Sequence, residues 1–159
     1  MKTCALLISI LALLALNSCR QESVQKGEEK SEAYWIVAIT TNEAKAYKTY
    51  YTQEAQSARA VLTDYCKFLD TTPDQAGTRK LRLTGKALAM ARIQFIDWYL
   101  SKAKIDLTPA AEILKSAHET QNSEKNISEF RKALVVMIAN GDKDQVRWVT
   151  SESIASATK

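Results

Sequence analysis

Ala44, Tyr47, Tyr51, Ala55, Ala58, Leu62, Tyr65 and Leu69 recur at steps of three and four. That spacing returns to one face of a 3.6-residue helix and gives no consistent face to a strand. The stripe extends weakly back through Thr40 and Val37. Tyr34 to Ile39 (YWIVAI) is locally strand-like in propensity. No second convincing strand exists to pair with it, so it is expected to join the helix, with a break or kink near Thr40-Thr41-Asn42.

Thr72-Pro73-Asp74-Gln75 reads as a helix start, with Thr as N-cap, Pro at the first position and Gln three after the cap. The preceding reversal is short, so the first two helices should be antiparallel neighbours. The second is expected to run to about Lys104, with Leu81, Leu88, Phe95 and Tyr99 on its main apolar face and Met90, Ile93 and Leu100 on the other. Its later half is apolar nearly all round, as in a central helix covered by others. Thr108-Pro109 repeats the cap logic and opens a helix with Ile113, Leu114 and Ala117 inward. After a polar stretch from Gln121 to Asn126, the residues Ile127, Phe130, Leu134, Met137 and Ile138 mark a fourth helix. Asn140-Gly141 should stop it. Val146, Val149 and Ile154 suggest a short final helix, with 151–159 fraying. The expected fold is all-α: an antiparallel four- or five-helix bundle or paired helical hairpins. Ala110, Leu114 and Ala117 have the spacing of the second helix of a tetratricopeptide repeat. The resemblance covers that one helix; no copy recurs at a period of about 34 residues.

The first eighteen residues read differently from the rest. Lys2 supplies a positive start, and Ala5 to Leu16 form an uncharged, mainly apolar run. As a helix that run covers about 18 Å, short of the ~30 Å hydrocarbon core, so it is expected to be a signal peptide and not a span. Leu16-Asn17-Ser18-Cys19 resembles the lipobox of bacterial lipoproteins: an aliphatic residue, then a small residue just before a cysteine. The resemblance implies cleavage before Cys19 and lipid on its sulfur. Each buried CH₂ of such a chain adds ~0.8 kcal/mol of membrane binding. Arg20 follows the cysteine, and by analogy with enterobacterial sorting this favours the periplasmic face of the outer membrane in a Gram-negative source. Residues 20–31 (RQESVQKGEEKS) carry too little apolar surface to offset their ordering entropy. They are expected to tether the domain, residues 32–159, with a reach of about 20 Å.

Removing Lys2 from the 22 Lys+Arg leaves 21 against 18 Asp+Glu, a side-chain net of +3. That is too modest to argue for nucleic acid. Cys4 leaves with the signal and Cys19 is consumed by lipid. Cys66 is then alone, without an intramolecular disulfide partner, and is read as a small core residue. His118 is the single histidine, and no HExxH, CxxC, GxSxG or Gly-rich phosphate loop is present. No catalytic residue, metal or cofactor is therefore expected. The three tryptophans, Trp35, Trp98 and Trp148, are read as core.

Two charged features stand out. Arg92 falls among Leu88, Phe95, Ile96 and Tyr99 on an apolar face. It calls for a buried carboxylate partner, with Asp64 or Asp70 as candidates. Arg79, Arg82 and Lys86 lie within an arc of about 60° on the opposite face, a basic ridge that could meet an acidic partner or anionic headgroups. The functional expectation is a lipid-anchored envelope protein that binds another envelope protein without catalysis. The alternative is an inhibitor or immunity-type lipoprotein that neutralises a toxin or hydrolase.

Overall fold

The structure, a computed structural model, describes residues 30–119 and 124–159. The chain divides into Met1–Ser31 and Glu32–Lys159. Only residues 30 and 31 of the first unit are described. The segment read as signal peptide, Cys19, and all but the last two tether residues lie outside the described residues. Among the described residues, the second unit contains six helices: α1 Glu32–Thr52, α2 Ala55–Thr71, α3 Ala76–Ser101, α4 Thr108–His118, α5 Ile127–Asp142 and α6 Ser151–Ala157. No strand occurs among the described residues, so the all-α class holds.

The helix count exceeds the expected four or five because the long first helix is two. Thr40 donates its hydroxyl to the Ile36 and Val37 carbonyls, and Asn42 its amide to Ala38, so α1 passes unbroken through the expected kink. The chain reverses instead at Glu54, whose backbone is extended (φ −68°, ψ 157°). No Gly or Pro marks the spot, and the apolar steps stay at three and four across it. The two helices then choose their faces independently. Ile39, Ala46 and Tyr50 are buried in α1, whereas Ala55, Ala58, Leu62, Tyr65 and Leu69 are buried in α2. Ala44 and Tyr51, expected inward, consequently lie exposed.

Thr72 closes α2 instead of opening the next helix. Its backbone N–H donates to Leu69 and its hydroxyl to Phe68. With that hydroxyl spent, α3 begins only at Ala76, after Gln75. It ends at Ser101, where Lys102 takes a left-handed conformation (φ 54°) and donates its N–H to the Trp98 carbonyl. Helix α3 is central, packing against α1, α2, α4, α5 and α6. Because neighbours approach it from several sides, its small residues Gly85, Ala87, Ala89 and Ala91 are enclosed along with the larger Phe95, Ile96 and Trp98, while Tyr99 and Leu100 are exposed. At Gly85 a β-carbon would come within 2.8 Å of the Tyr65 hydroxyl, so this glycine sets the closeness of α2 to α3. Arg59 to Asp97 and Lys86 to Asp70 tie the same two helices, antiparallel, near the two ends of α2.

Asp106 accepts from the Thr108 N–H and starts α4, ahead of Pro109. Asn126 caps α5 by accepting from Glu129 at 3.1 Å. Asn140-Gly141 does not stop α5; it runs on to Asp142, which is held by side chains from α1 and α3. Met137, expected inward, is exposed, and Val135 is buried in its place. Residues 143–150 then form turns and not the final helix, although Val146, Trp148 and Val149 are buried there. The helix follows where fraying was expected. A capping box between Thr150 and Ser153 starts α6, each side chain serving the other's backbone N–H.

Candidate functional site

Three helices bring their polar groups to one buried point. Phe130, Leu134, Ile138 and Asp142 are spaced by four, so Asp142 continues the inward stripe of α5 and is fully enclosed. Arg92, on the inward side of α3, is 8% exposed. Tyr50 comes from the buried face of α1, flanked by Tyr47 and Tyr51.

The geometry closes on itself. Arg92 Nε donates to Asp142 Oδ2 at 2.8 Å and Nη2 to Oδ1 at 3.1 Å, a bidentate pair. Tyr50 donates to Oδ2 at 3.0 Å and Tyr51 to Oδ1. Each carboxylate oxygen thus accepts two hydrogen bonds, which uses its in-plane acceptor directions. Arg92 Nη1 donates to the Tyr47 hydroxyl at 3.1 Å, and the guanidinium carbon lies 4.6 Å from the Tyr47 ring centre. The Tyr50 ring meets Trp148 edge-on at 5.3 Å, which seals the far side.

The electrostatics follow from this enclosure. Burial works against the Arg92 charge, but Tyr47, Asp142 and Tyr50 outweigh it and raise its pKa. Burial pushes Tyr47 up to about 12 against the pull of Arg92. Tyr50 and Tyr51 are likewise raised, by burial and then by Asp142. All three phenols therefore stay protonated donors at neutral pH. Glu43, one turn before Tyr47, has its carboxyl raised by burial, opposed by Arg92. Chemically, the cluster fixes a carboxylate between α1, α3 and α5.

The buried partner of Arg92 is Asp142 and neither of the expected aspartates. Asp64 pairs with Lys67 one turn away, and Asp70 with Lys86. The expected basic ridge is also changed. Arg79 and Arg82 both reach Asp74, each at 2.8 Å, and Lys86 reaches Asp70. The hydrogen bond from Arg82, with the charges of Arg79 and Arg82, holds the Asp74 carboxyl below its usual range. Asp70 at the end of α2 and Asp74 in the turn before α3 fold onto the ridge, so the three cations do not form a free basic face. His118 lies beside the Phe130 ring, 6.3 Å between centres. Burial pushes the half-buried Cys66 thiol up to about 11, with Lys86 opposing. No group of three or more His, Cys, Asp or Glu that could hold a metal occurs among the described residues. No helix among them is long and apolar enough to cross a membrane.

Tyr47, Tyr50, Tyr51 and Asp142 were not singled out by sequence as partners of Arg92. The step of four from Ile138 to Asp142 was the available signal, hidden by the Asn-Gly pair read as a stop. Compared with family models, with curated proteins and with solved structures, the chain matches none.

Proposed function

We propose that the protein is a lipid-anchored, non-catalytic interaction module of the bacterial envelope. In this reading, lipid on Cys19 holds the domain at the membrane and the first two turns of α1 meet an apolar surface on another envelope protein. The observation that carries the reading is the exposure of three large apolar side chains within those turns: Tyr34 (46%), Ile36 (39%) and Val37 (63%). Tyr34 and Val37 are one turn apart on the helix, and exposed apolar neighbours are a common mark of an interaction surface. Its position adds weight, because only residues 20–31 separate it from Cys19. The inward use of Arg92 and Asp142 also supports a module in which buried charge locks a shape.

The anchor is tested by growth with a fatty-acid analogue: the parent should be labelled, and equal labelling of Cys19→Ser would contradict it. The surface is tested by affinity capture from solubilised membranes, comparing the parent with Ile36→Glu/Val37→Glu. A protein retained by the parent and lost from the variant is expected. Identical capture by both would overturn the assignment of α1. A captured toxin or hydrolase would make the protein an inhibitor.

A further inference from the structure

Asn140-Gly141 carries the chemistry of a helix stop, yet α5 runs through it to Asp142. It is the only Asn-Gly pair in the sequence. Neither space nor backbone requires a glycine there. A β-carbon built on Gly141 meets no atom within 4 Å among the described residues, and none of the described glycines has a positive φ. Alanine would be the better helix former. Two sets of contacts hold the pair in helical form. Arg92, Tyr50 and Tyr51 draw Asp142 into the core, and the Gln145 side-chain amide donates to the Gly141 carbonyl at 2.6 Å. Beyond them the chain turns through Asp144, whose left-handed backbone (φ 69°) is one that glycine adopts without strain. The end of α5 is therefore in local conflict: Gly141 is the residue suited to a left-handed cap, and Asp144 is the residue made to adopt that conformation. With Asp142 released, α5 would end at Asn140 with Gly141 as its cap.

We propose that Asn140-Gly141 is a modification site, where deamidation is held back by the anchoring of Asp142. In the helix the Gly141 N–H donates back to the Met137 carbonyl and the Asn140 ψ is helical, which keeps the amide nitrogen away from the Asn140 side chain. When the last turn opens, the Gly141 nitrogen loses its proton to solvent and attacks Asn140 Cγ. A C–N bond forms to the backbone and the C–N bond to the side-chain amide breaks. Ammonia leaves, taking up a proton from water. Water then opens the five-membered imide at one of its two carbonyls, giving aspartate or isoaspartate. Gly141 favours ring closure because it has no β-carbon to crowd the attack. Asn140 is exposed, so water reaches it. Either product places a new carboxylate two residues before Asp142. Isoaspartate also lengthens the backbone by one carbon, which takes Asp142 out of register with Arg92. The reaction is a one-way release of the end of α5 from α1 and α3. It is independent of the α1 surface and of the lipid on Cys19.

The test incubates the full chain at pH 8 and follows Asn140 by peptide mass and by isoaspartyl-methyltransferase labelling. The folded parent should react far more slowly than the same protein unfolded in urea. Tyr51→Phe removes one hydrogen bond to the Asp142 carboxylate while leaving those from Arg92 and Tyr50, and should speed the reaction about tenfold. Gln145→Ala, at an exposed position, frees the Gly141 carbonyl and should act in the same direction. Ile39→Val loosens the buried face of α1 away from Asp142 and should leave the rate unchanged, which separates opening of the last turn from global unfolding. Gly141→Ala should fold and remain unmodified over the same period. A folded parent that reacts as fast as the unfolded chain would overturn the proposal. Equal acceleration by Tyr51→Phe and Ile39→Val, or none by Tyr51→Phe and Gln145→Ala, would do the same.

Discussion

Replacing Asp142 by alanine removes the one group that satisfies Arg92, Tyr50 and Tyr51 together. Asp142 is fully enclosed and Arg92 is 8% exposed, so the guanidinium left behind has little access to water. Breaking a buried pair by deleting one partner costs ~3–5 kcal/mol. Tyr50, also fully enclosed, loses its acceptor, which adds ~1–2 kcal/mol. The expected loss is therefore about 4–7 kcal/mol, against a total of ~5–15 kcal/mol for an ordinary domain. Urea unfolding followed by tryptophan fluorescence reads it directly, because Trp148 packs on Tyr50. The compensated variant Arg92→Met/Asp142→Leu/Tyr50→Phe removes both charges and the stranded hydroxyl, and should recover most of the loss. A loss below about 1 kcal/mol for Asp142→Ala would mean that Arg92 reaches solvent, and the closed cluster would be refuted.

Three further outcomes follow from local contacts. Gly85→Ala gains ~1 kcal/mol of helix propensity but forces its methyl against the Tyr65 hydroxyl, so it should destabilise the parent by about 1 kcal/mol. In a Tyr65→Phe background the same change should stabilise, and an unchanged sign in that double-mutant cycle would show that Gly85 does not set the contact. Glu43 has a raised carboxyl pKa, so the folded state holds that proton more tightly than the unfolded chain and its ionisation costs stability as pH rises. Glu43→Gln should therefore be the more stable protein at pH 7, with the gap closing as pH falls through the raised pKa towards 4.5 and gone below it; a gap that widens in acid would reverse the argument. With its pKa pushed up to about 11, the Cys66 thiol is scarcely ionised at pH 8 and should react with an aromatic disulfide far more slowly in folded than in urea-unfolded protein. Equal rates would place that thiol in solvent.

The sequence shows the helices clearly and their interruptions poorly. Periodicity identifies α3 and α5 because inward residues repeat along each, whereas the reversal at Glu54 leaves no mark in composition. Its extended backbone is stabilised by how α1 packs on α2, a tertiary effect that local pattern does not carry. Thr72 shows the converse failure. A hydroxyl suited to opening a helix was used to close one, and both uses rest on the same chemistry. Arg92 was legible as a buried charge needing a carboxylate, because its position on an apolar face depends only on helix phase. Asp142 was not legible as that carboxylate, since fifty residues separate the two and only the packing of α5 on α3 joins them. The ridge of Arg79, Arg82 and Lys86 was legible as a row of cations, but its counter-charges were not. They lie outside the helix, Asp70 in α2 and Asp74 in the turn.

The proposed role rests most directly on what the start of α1 touches in the living envelope. A photo-crosslinking amino acid in place of Val37, 63% exposed, would report its neighbour within a few ångströms without disturbing the core. In cells making the full chain, the proposed anchor and surface should give a discrete adduct with one envelope protein. That adduct should weaken strongly when Cys19→Ser removes the anchor and vanish when Ile36→Glu is added. Adducts with lipid alone, or a ladder that is the same with and without Cys19, would contradict it.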